Sequence, residues 1–142
     1  MAARKGSAEW KGDLKGGGGA VTVGEGAWTS EYSFASRFEE GEGTNPEELI
    51  AAAHAGCFTM ALSHALAEAG SPPDSVKTTA GVSLRRIDGA PTIAQIDLDV
   101  VGSVPGIDEA AFVEQAEAAK AACPVSRALA GVPEINLSAR LA

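Results

Sequence analysis

The chain has 142 residues, of which 45% are hydrophobic, and 19 acidic against 11 basic residues give it a formal net charge of −8. This length and composition predict one domain, residues 1–142, with a core large enough to need no disulfide framework. The acidic balance and the absence of any basic cluster longer than a pair argue against a nucleic-acid partner. A small molecule or another protein is the expected partner.

The N-terminal segment and the cysteine count bear on the cellular compartment. Residues 1–11 contain no apolar stretch of the kind that a signal peptide needs, which indicates a cytoplasmic location. The chain has two cysteines, and cytoplasmic thiols are normally reduced. A purely structural disulfide is therefore the less favoured use for them.

The first third of the chain predicts three strands and a glycine-rich loop. The predicted strands are Gly6–Leu14, Val21–Gly24 and Glu31–Ala35. Tyr32 and Phe34 are expected on one face of the third strand, because side chains alternate along a strand. The glycine run Lys15–Gly19 is interpreted as a hairpin loop and not as a phosphate-binding loop, since strand-like residues follow it. Residues 39–45 predict an acidic surface loop.

A long helix is predicted over Pro46–Ala69. Asn45 is suited to be its N-cap, with a proline at the first helical position and two glutamates in the first turn, where the helix dipole favours carboxylates. The sequence Gly70–Pro73 ends it. Residues 49–67 contain no Asp, Glu, Lys or Arg, as in a membrane span. A span is not favoured, because the run is alanine-rich and contains His54 and His64. A helix apolar all round is expected to be covered by the protein's own sheet on one side and by a second subunit on the other.

The second half of the chain predicts a hairpin, two helices and a closing strand. The predicted elements are strands at Val76–Ile87 and Ile93–Val104 joined by a turn at Asp88-Gly89, helices at Glu109–Ala121 and Pro124–Leu129, and a strand at Ile135–Leu141. Asp108 should cap the first of these helices, whose apolar stripe is formed by Phe112, Val113 and Ala116. The whole order indicates an α+β fold with an antiparallel sheet and segregated helices.

Two thiols are the candidate reactive groups. Cys57 lies in the middle of the long helix, where packing is the ordinary use for a free cysteine. Cys123 precedes Pro124 at the predicted start of a helix, where unpaired N–H groups can lower a thiol pKa. On that reasoning alone Cys123 would be the nucleophile, and a reactive Cys57 would need a cation from elsewhere.

A metal site is an alternative use for Cys57 and the two histidines. His54 and Cys57 are three residues apart and could chelate, but His64 lies about 10 Å further along the helix axis than Cys57. Zinc is therefore a minor alternative; packing or partial exposure is the simpler use for the two histidines and is preferred for His64. No cofactor fingerprint or serine-type nucleophile motif occurs in the sequence.

The residues around both thiols resemble a known family. The run from Arg37 to Ile50 with its Asn-Pro-Glu element, the segment Ala51–Phe58, and Ala122–Ser126 with a Cys-Pro pair are similar to the OsmC branch of the OsmC/Ohr family of thiol-dependent hydroperoxide reductases. The similarity covers nearly the whole chain. It implies an OsmC-like fold with a long buried central helix and a second helix pair, assembled as an intertwined homodimer.

The resemblance also implies roles for four residues. Cys57 matches the peroxidatic thiol, which attacks the O–O bond and becomes a sulfenic acid, and Cys123 matches the resolving thiol, which forms a disulfide with it. Arg37 matches the family arginine that holds Cys57 as thiolate, and Glu47 should orient that arginine. A plain surface salt bridge is the alternative for this pair. No catalytic role follows for His54, and no cofactor is implied.

Helix geometry adds an expectation about assembly. Glu47 lies about 15 Å from Cys57 along a continuous helix, which is further than one arginine easily bridges. Two such helices packed antiparallel and crossing near residues 51–53 would bring Glu47 of one chain beside Cys57 of the other. A site at a subunit interface is therefore expected, with Arg37 or Glu47 supplied in trans.

Two functions remain open from the sequence. The first is an organic-hydroperoxide reductase, also able to act on hydrogen peroxide, recycled by a lipoylated or thioredoxin-like dithiol and serving the response to oxidative or osmotic stress. The second is a dimeric module that binds a hydrophobic ligand or senses redox state without turnover. The presence of all four family residues favours the enzyme.

Overall fold

Six strands and four helices make up the chain in the computed structural model, which describes every residue from Met1 to Ala142. They are β1 (Gly6–Lys11), β2 (Gly18–Val23), β3 (Trp28–Tyr32), α1 (Phe34–Phe38), α2 (Pro46–Glu68), β4 (Ser75–Ile87), β5 (Ala90–Ser103), α3 (Glu109–Ala122), α4 (Pro124–Ala128) and β6 (Glu134–Leu141). They fall into two units, Met1–Leu49 and Ile50–Ala142. The α+β class is confirmed, and the single domain stays a prediction.

The first unit is an antiparallel meander in the order β1-β2-β3. Its second strand begins at Gly18, so the prediction that the glycine run is all loop is wrong. Gly19 pairs with both Trp10 and Tyr32, whose rings meet edge to face at 5.1 Å. A Cβ at Gly19 would come within 3.0 Å of both rings, so only glycine lets these aromatics cover the strand.

The predicted third strand is wrong in its second half. β3 ends at Tyr32, and Ser33 instead caps α1 through a reciprocal pair of hydrogen bonds with Ser36. Phe34 and Arg37 therefore lie on a short helix, and Phe34 does not share a strand face with Tyr32. A capping box outweighed the β preference of the aromatic residues.

No hydrophobic residue of Met1–Leu49 is buried. The buried residues of this unit are all polar: Ser36, Thr44, Asn45 and Glu47. A three-stranded sheet without an apolar core of its own is only marginally stable. Exposed Trp28 and Phe38 add to the apolar surface that this unit leaves uncovered.

The second unit holds the hydrophobic core. Its largest fully buried hydrophobic side chains come from one face of α2, the inner face of β5 and α3: Phe58, Leu62, Leu66, Ile96, Leu98, Val100 and Phe112. Alternate residues of β5 from Ala94 to Gly102 are buried, and the predicted caps at Asn45 and Asp108 are confirmed. The apolar stripe of α3 differs from the prediction, because Val113 is exposed and Ala119 is buried.

One strand pairing differs from the predicted antiparallel sheet. The sheet order is β4-β5-β6, with β4 and β5 antiparallel and β6 parallel to β5. Helices α3 and α4 separate β5 from β6 in sequence, so the chain crosses over before it pairs again. At Gly102 a Cβ would lie 2.4 Å from the Phe112 ring, which shows how closely α3 approaches the sheet.

The two faces of α2 differ in exposure. His54, Phe58, Leu62 and Leu66 are spaced by four residues and are buried, whereas Ala52, Ala53, Gly56 and Met60 are exposed. Met60 is 75% exposed. By length and composition α2 is the one helix that could cross a membrane, a test that the core helix of a soluble protein also passes. The sheet of the same chain thus covers one side of α2. That a second subunit covers the other side stays a prediction.

Candidate active site

The two thiols lie side by side in the second unit. The Sγ atoms of Cys57, on α2, and Cys123, between α3 and α4, are 3.1 Å apart. Cys123 is fully buried, whereas Cys57 is half-buried and so can be approached from solvent. The fold therefore brings together two thiols 66 residues apart in sequence and gives them unequal access.

The surroundings favour a thiolate at Cys123 over one at Cys57. Burial raises the pKa of Cys57, and the neighbouring Cys123 raises it further. Burial also acts to raise the pKa of Cys123, but interactions with Ser126, Cys57 and the Val125 backbone outweigh it, and the pKa falls below its usual value. This agrees with the sequence reasoning that Cys57 needs a cation from elsewhere.

A buried histidine stands next to this thiol pair. His54, one turn before Cys57 on α2, is fully buried, and its Nε2 lies 2.6 Å from the Oγ of Ser126. Its Nδ1 has no hydrogen-bond partner. Burial lowers the pKa of His54, so the ring is neutral near pH 7.

The sequence analysis missed Ser126 and gave His54 no catalytic role. The available signal was spacing: His54 precedes Cys57 by three residues and Ser126 follows Cys123 by three, so each can lie beside its cysteine on a helical turn. His64, by contrast, is exposed. No group of three or more His, Cys, Asp or Glu side chains is arranged to hold a metal ion.

Arg37 and Glu47 form a bidentate ion pair in the first unit. Arg37 Nη2 donates to Glu47 Oε1 at 2.7 Å, and Arg37 Nε lies 3.2 Å from both carboxylate oxygens. The Glu47 side chain is 11% exposed and that of Arg37 is 35% exposed. The pair is thus more buried than an exposed surface salt bridge, which is the alternative that the sequence leaves open. Its fork geometry fixes the plane of the guanidinium group.

Side chains around the start of α2 hold this ion pair in place. Asn45 Oδ1 accepts from the Glu48 N–H, while Asn45 Nδ2 donates to the Ser36 carbonyl at 2.8 Å. Ser36 Oγ donates to the Thr44 carbonyl at 2.7 Å. The two helices that carry Arg37 and Glu47 are therefore tied together by buried hydrogen bonds next to the pair.

A half-exposed thiol in contact with a buried thiol, on an α+β fold, defines a dithiol redox protein. The family described as OsmC-like protein matches residues 39–138. The chain is 49% identical over 139 residues to peroxiredoxin OsmC of Escherichia coli K12, which covers 97% of this chain and 96% of that protein. The chain therefore belongs to the OsmC-like family.

Two further relatives come from the Ohr branch. An organic hydroperoxide resistance protein of Xanthomonas axonopodis pv. citri is 33% identical over 99 residues, which is 69% of this chain and 68% of that protein. The crystal structure of organic hydroperoxide resistance protein OhrB of Bacillus subtilis superimposes with a TM-score of 0.74 at 27% identity, covering 97% of this chain and 98% of that one. The predicted OsmC/Ohr resemblance is confirmed.

Proposed function

We propose that this protein is a thiol-dependent peroxidase that reduces organic hydroperoxides. The observation that carries the proposal is the 3.1 Å contact between half-buried Cys57 and fully buried Cys123. A peroxide can reach the first thiol but not the second, which is the order of access that a two-thiol cycle needs. The 49% identity to a protein named peroxiredoxin OsmC supports the same activity.

In the first step the Cys57 thiolate attacks the hydroperoxide. A sulfur–oxygen bond forms, the O–O bond breaks, Cys57 becomes a sulfenic acid, and the alkoxide takes a proton to leave as an alcohol. The sulfur loses two electrons and the peroxide gains them. Because burial and Cys123 raise the pKa of Cys57, this step needs a cation at the sulfur, and Arg37 held by Glu47 is the proposed source.

The cation comes from a second protomer. Helix α2 is continuous from Pro46 to Glu68, so the ten residues from Glu47 to Cys57 rise about 15 Å along the axis. Antiparallel packing of two α2 helices about residues 51–53 brings Glu47 of the partner subunit level with Cys57. One face of α2 is exposed, and Met1–Leu49 has no buried hydrophobic residue. Both observations support a second copy of the chain that covers these surfaces.

In the second step Cys123 attacks the sulfenic acid. The new S–S bond displaces hydroxide, which takes up a proton to form water, and no further oxidant is needed. The sulfurs must close from 3.1 Å to about 2.05 Å, a small movement. An external dithiol, lipoylated or thioredoxin-like, then reduces the disulfide by thiol exchange in the cytoplasm. The cycle uses no cofactor.

An alkyl hydroperoxide suits the site better than hydrogen peroxide. Met60 lies one turn beyond Cys57 and is exposed, as are Ala53 and Gly56 on the preceding turn. Only a substrate with an apolar tail gains free energy from covering such surface, at roughly 25 cal/mol per Å². Specificity for organic hydroperoxides is therefore expected to appear in kcat/KM.

A single-turnover thiol titration tests the proposed function. Reduced protein is mixed with cumene hydroperoxide or hydrogen peroxide, beside the Cys57→Ser and Cys123→Ser variants. We expect one peroxide consumed per two thiols, no reaction in Cys57→Ser, and a trapped sulfenic acid in Cys123→Ser. A wild-type protein that reacts no faster than free cysteine would instead favour a module that binds a hydrophobic ligand or senses redox state.

A further inference from the structure

A buried polar array, formed by His54 and Ser126, joins α2 to α4. His54 Nε2 and Ser126 Oγ are 2.6 Å apart; His54 is 0% exposed and Ser126 is 7% exposed. Such an array costs free energy to bury, because a polar group in a core loses its hydration. It is also incompletely satisfied, since His54 Nδ1 has no partner. Neither the peroxide attack nor the ion pair of Arg37 uses these two residues.

The unpartnered nitrogen indicates how the protons are arranged. A neutral imidazole carries one N–H, and a buried donor without a partner is rarer than a buried acceptor without one. The favoured tautomer therefore has its proton on Nε2, which donates to Ser126 Oγ. The Ser126 hydroxyl hydrogen is then free to point away from His54, and Ser126 lies in the first turn of α4, three residues after Cys123 at the N-cap.

We propose that His54 and Ser126 are positioning residues for the second chemical step, in which they hold Cys123 as the thiolate that attacks the Cys57 sulfenic acid. The Ser126 O–H donates to the Cys123 sulfur, and the His54 Nε2–H donates to Ser126 and keeps that hydroxyl aligned. The Cys123 electron pair forms the S–S bond as the S–O bond of Cys57 breaks, and the leaving hydroxide combines with the proton that Cys123 released on ionising to give water. The inference rests on the proposed function.

The array acts on one thiol and not on the other. The lowering of the Cys123 pKa includes contributions from both the backbone and the hydroxyl of Ser126, whereas neither residue of the array contributes to the pKa of Cys57. Removing the array should therefore slow disulfide formation and leave the rate of peroxide attack almost unchanged. A purely structural role would instead lower both rates together with the stability.

The test compares two rates in one set of variants. The variants are Ser126→Ala, Ser126→Thr, which restores the hydroxyl, His54→Leu, and Ser138→Ala as the control at an exposed serine on β6. Cumene hydroperoxide consumption reports the first step, and the lifetime of the dimedone-reactive sulfenic acid reports the second. Thiolate absorbance in a Cys57→Ser background reports the ionisation of Cys123 directly.

We expect Ser126→Ala and His54→Leu to slow disulfide formation by about tenfold or more, the effect of losing a hydrogen bond to a charged group. Peroxide consumption should stay within about threefold of wild type, and Ser126→Thr should recover most of the loss. The Cys57→Ser background should lose thiolate absorbance when Ser126→Ala is added.

Three results would overturn the inference: equal resolution rates in Ser126→Ala and Ser138→Ala, equal slowing of both steps, or no recovery in Ser126→Thr. If Ser126→Ala does not fold, His54→Leu tests the same array by removing its residue on α2. If the wild-type protein consumes no hydroperoxide, the proposed function fails, while the thiolate absorbance still decides whether the array stabilises the charge on Cys123.

Discussion

Cys57 and Cys123 place their sulfurs 3.1 Å apart while remaining free thiols, one half-buried and one fully buried. Oxidation needs little movement in the folded state, but it closes a long loop in the unfolded chain. The residues are 66 positions apart, for which the chain-entropy relation gives a stabilisation of about 4 kcal/mol before any strain. We expect the disulfide form to unfold at a correspondingly higher denaturant concentration than the reduced form.

Denaturant unfolding of the oxidised and reduced protein measures this difference. Cys123→Ser treated in the same two ways is the control, and its two curves should coincide. A gain below about 1 kcal/mol in the wild type would contradict the expectation that the sulfurs are already in bonding range.

The reactivity of Cys57 should shift with pH when Cys123 is removed. Burial is the first cause of the raised pKa of Cys57, and the Cys123 thiol adds a hydrogen bond and a charge that raise it further. Cys123→Ala removes both contributions of the neighbour, so the pKa of Cys57 falls. The alkylation rate of Cys57 as a function of pH should therefore have its midpoint at lower pH in the variant. A midpoint that moves upward would mean that Cys123 stabilises the Cys57 thiolate.

His54 should make the protein less stable in acid. Burial lowers its folded-state pKa below 6.5, so the unfolded chain binds more protons as the pH falls past that value. The stabilisation from the neutral imidazole is present above the unfolded-state pKa and is lost as the pH falls through the folded-state pKa. The free energy of unfolding of His54→Leu should therefore change less than that of wild type between about pH 7.5 and pH 5.

His64→Leu, at an exposed position on the same helix, is the matched control. Cys57, three residues after His54 on α2, and Cys123, three residues before Ser126, stay protonated over this acid range in the unfolded chain. Equal slopes for wild type and His54→Leu would show that the ring titrates normally in the folded state.

Gly56→Leu separates the stability of the protomer from its assembly. A Cβ at Gly56 would meet no atom within 4 Å, so a larger side chain fits the single chain. Replacing a mid-helix glycine should stabilise α2 by roughly 0.5 to 1 kcal/mol. The proposed antiparallel packing of two α2 helices would be obstructed, and light scattering should detect monomers. A dimer of unchanged affinity would place the subunit contact elsewhere.

Mixed dimers test whether Arg37 acts in trans. Arg37→Met alone should lower the peroxide-step rate by about 10² to 10³, the effect of losing one preorganised charged donor, whereas Arg86→Met on the β4–β5 hairpin should not. When Arg37→Met chains and Cys57→Ser chains are unfolded and refolded together, about a quarter of the wild-type number of active sites should be regained. Half of randomly formed dimers are mixed, and each mixed dimer has one complete site of two. No recovery after unfolding and refolding the two chains together would place the arginine in cis.

How far the sequence predicts the structure depends on whether the signal is local. Asn45, Pro46 and Asp108 specify helix starts through hydrogen bonds and backbone angles within a few residues, and the structure has those starts. Asp88 and Gly89 both adopt positive φ, as their turn sequence predicts. The prediction of β-structure at Phe34 was wrong, because the competing cap at Ser33 is equally local and is stronger.

The sequence by itself determined the long helix and the α+β class, and its family resemblance singled out Cys57, Cys123, Arg37 and Glu47, whose catalytic roles stay predictions. Only the tertiary structure decided that β6 runs parallel to β5, that Cys123 is the buried thiol, and that His54 meets Ser126. The physical reason is separation along the chain. His54 and Ser126 are 72 residues apart, and local propensities do not specify which distant segments pack together and pair their buried polar groups.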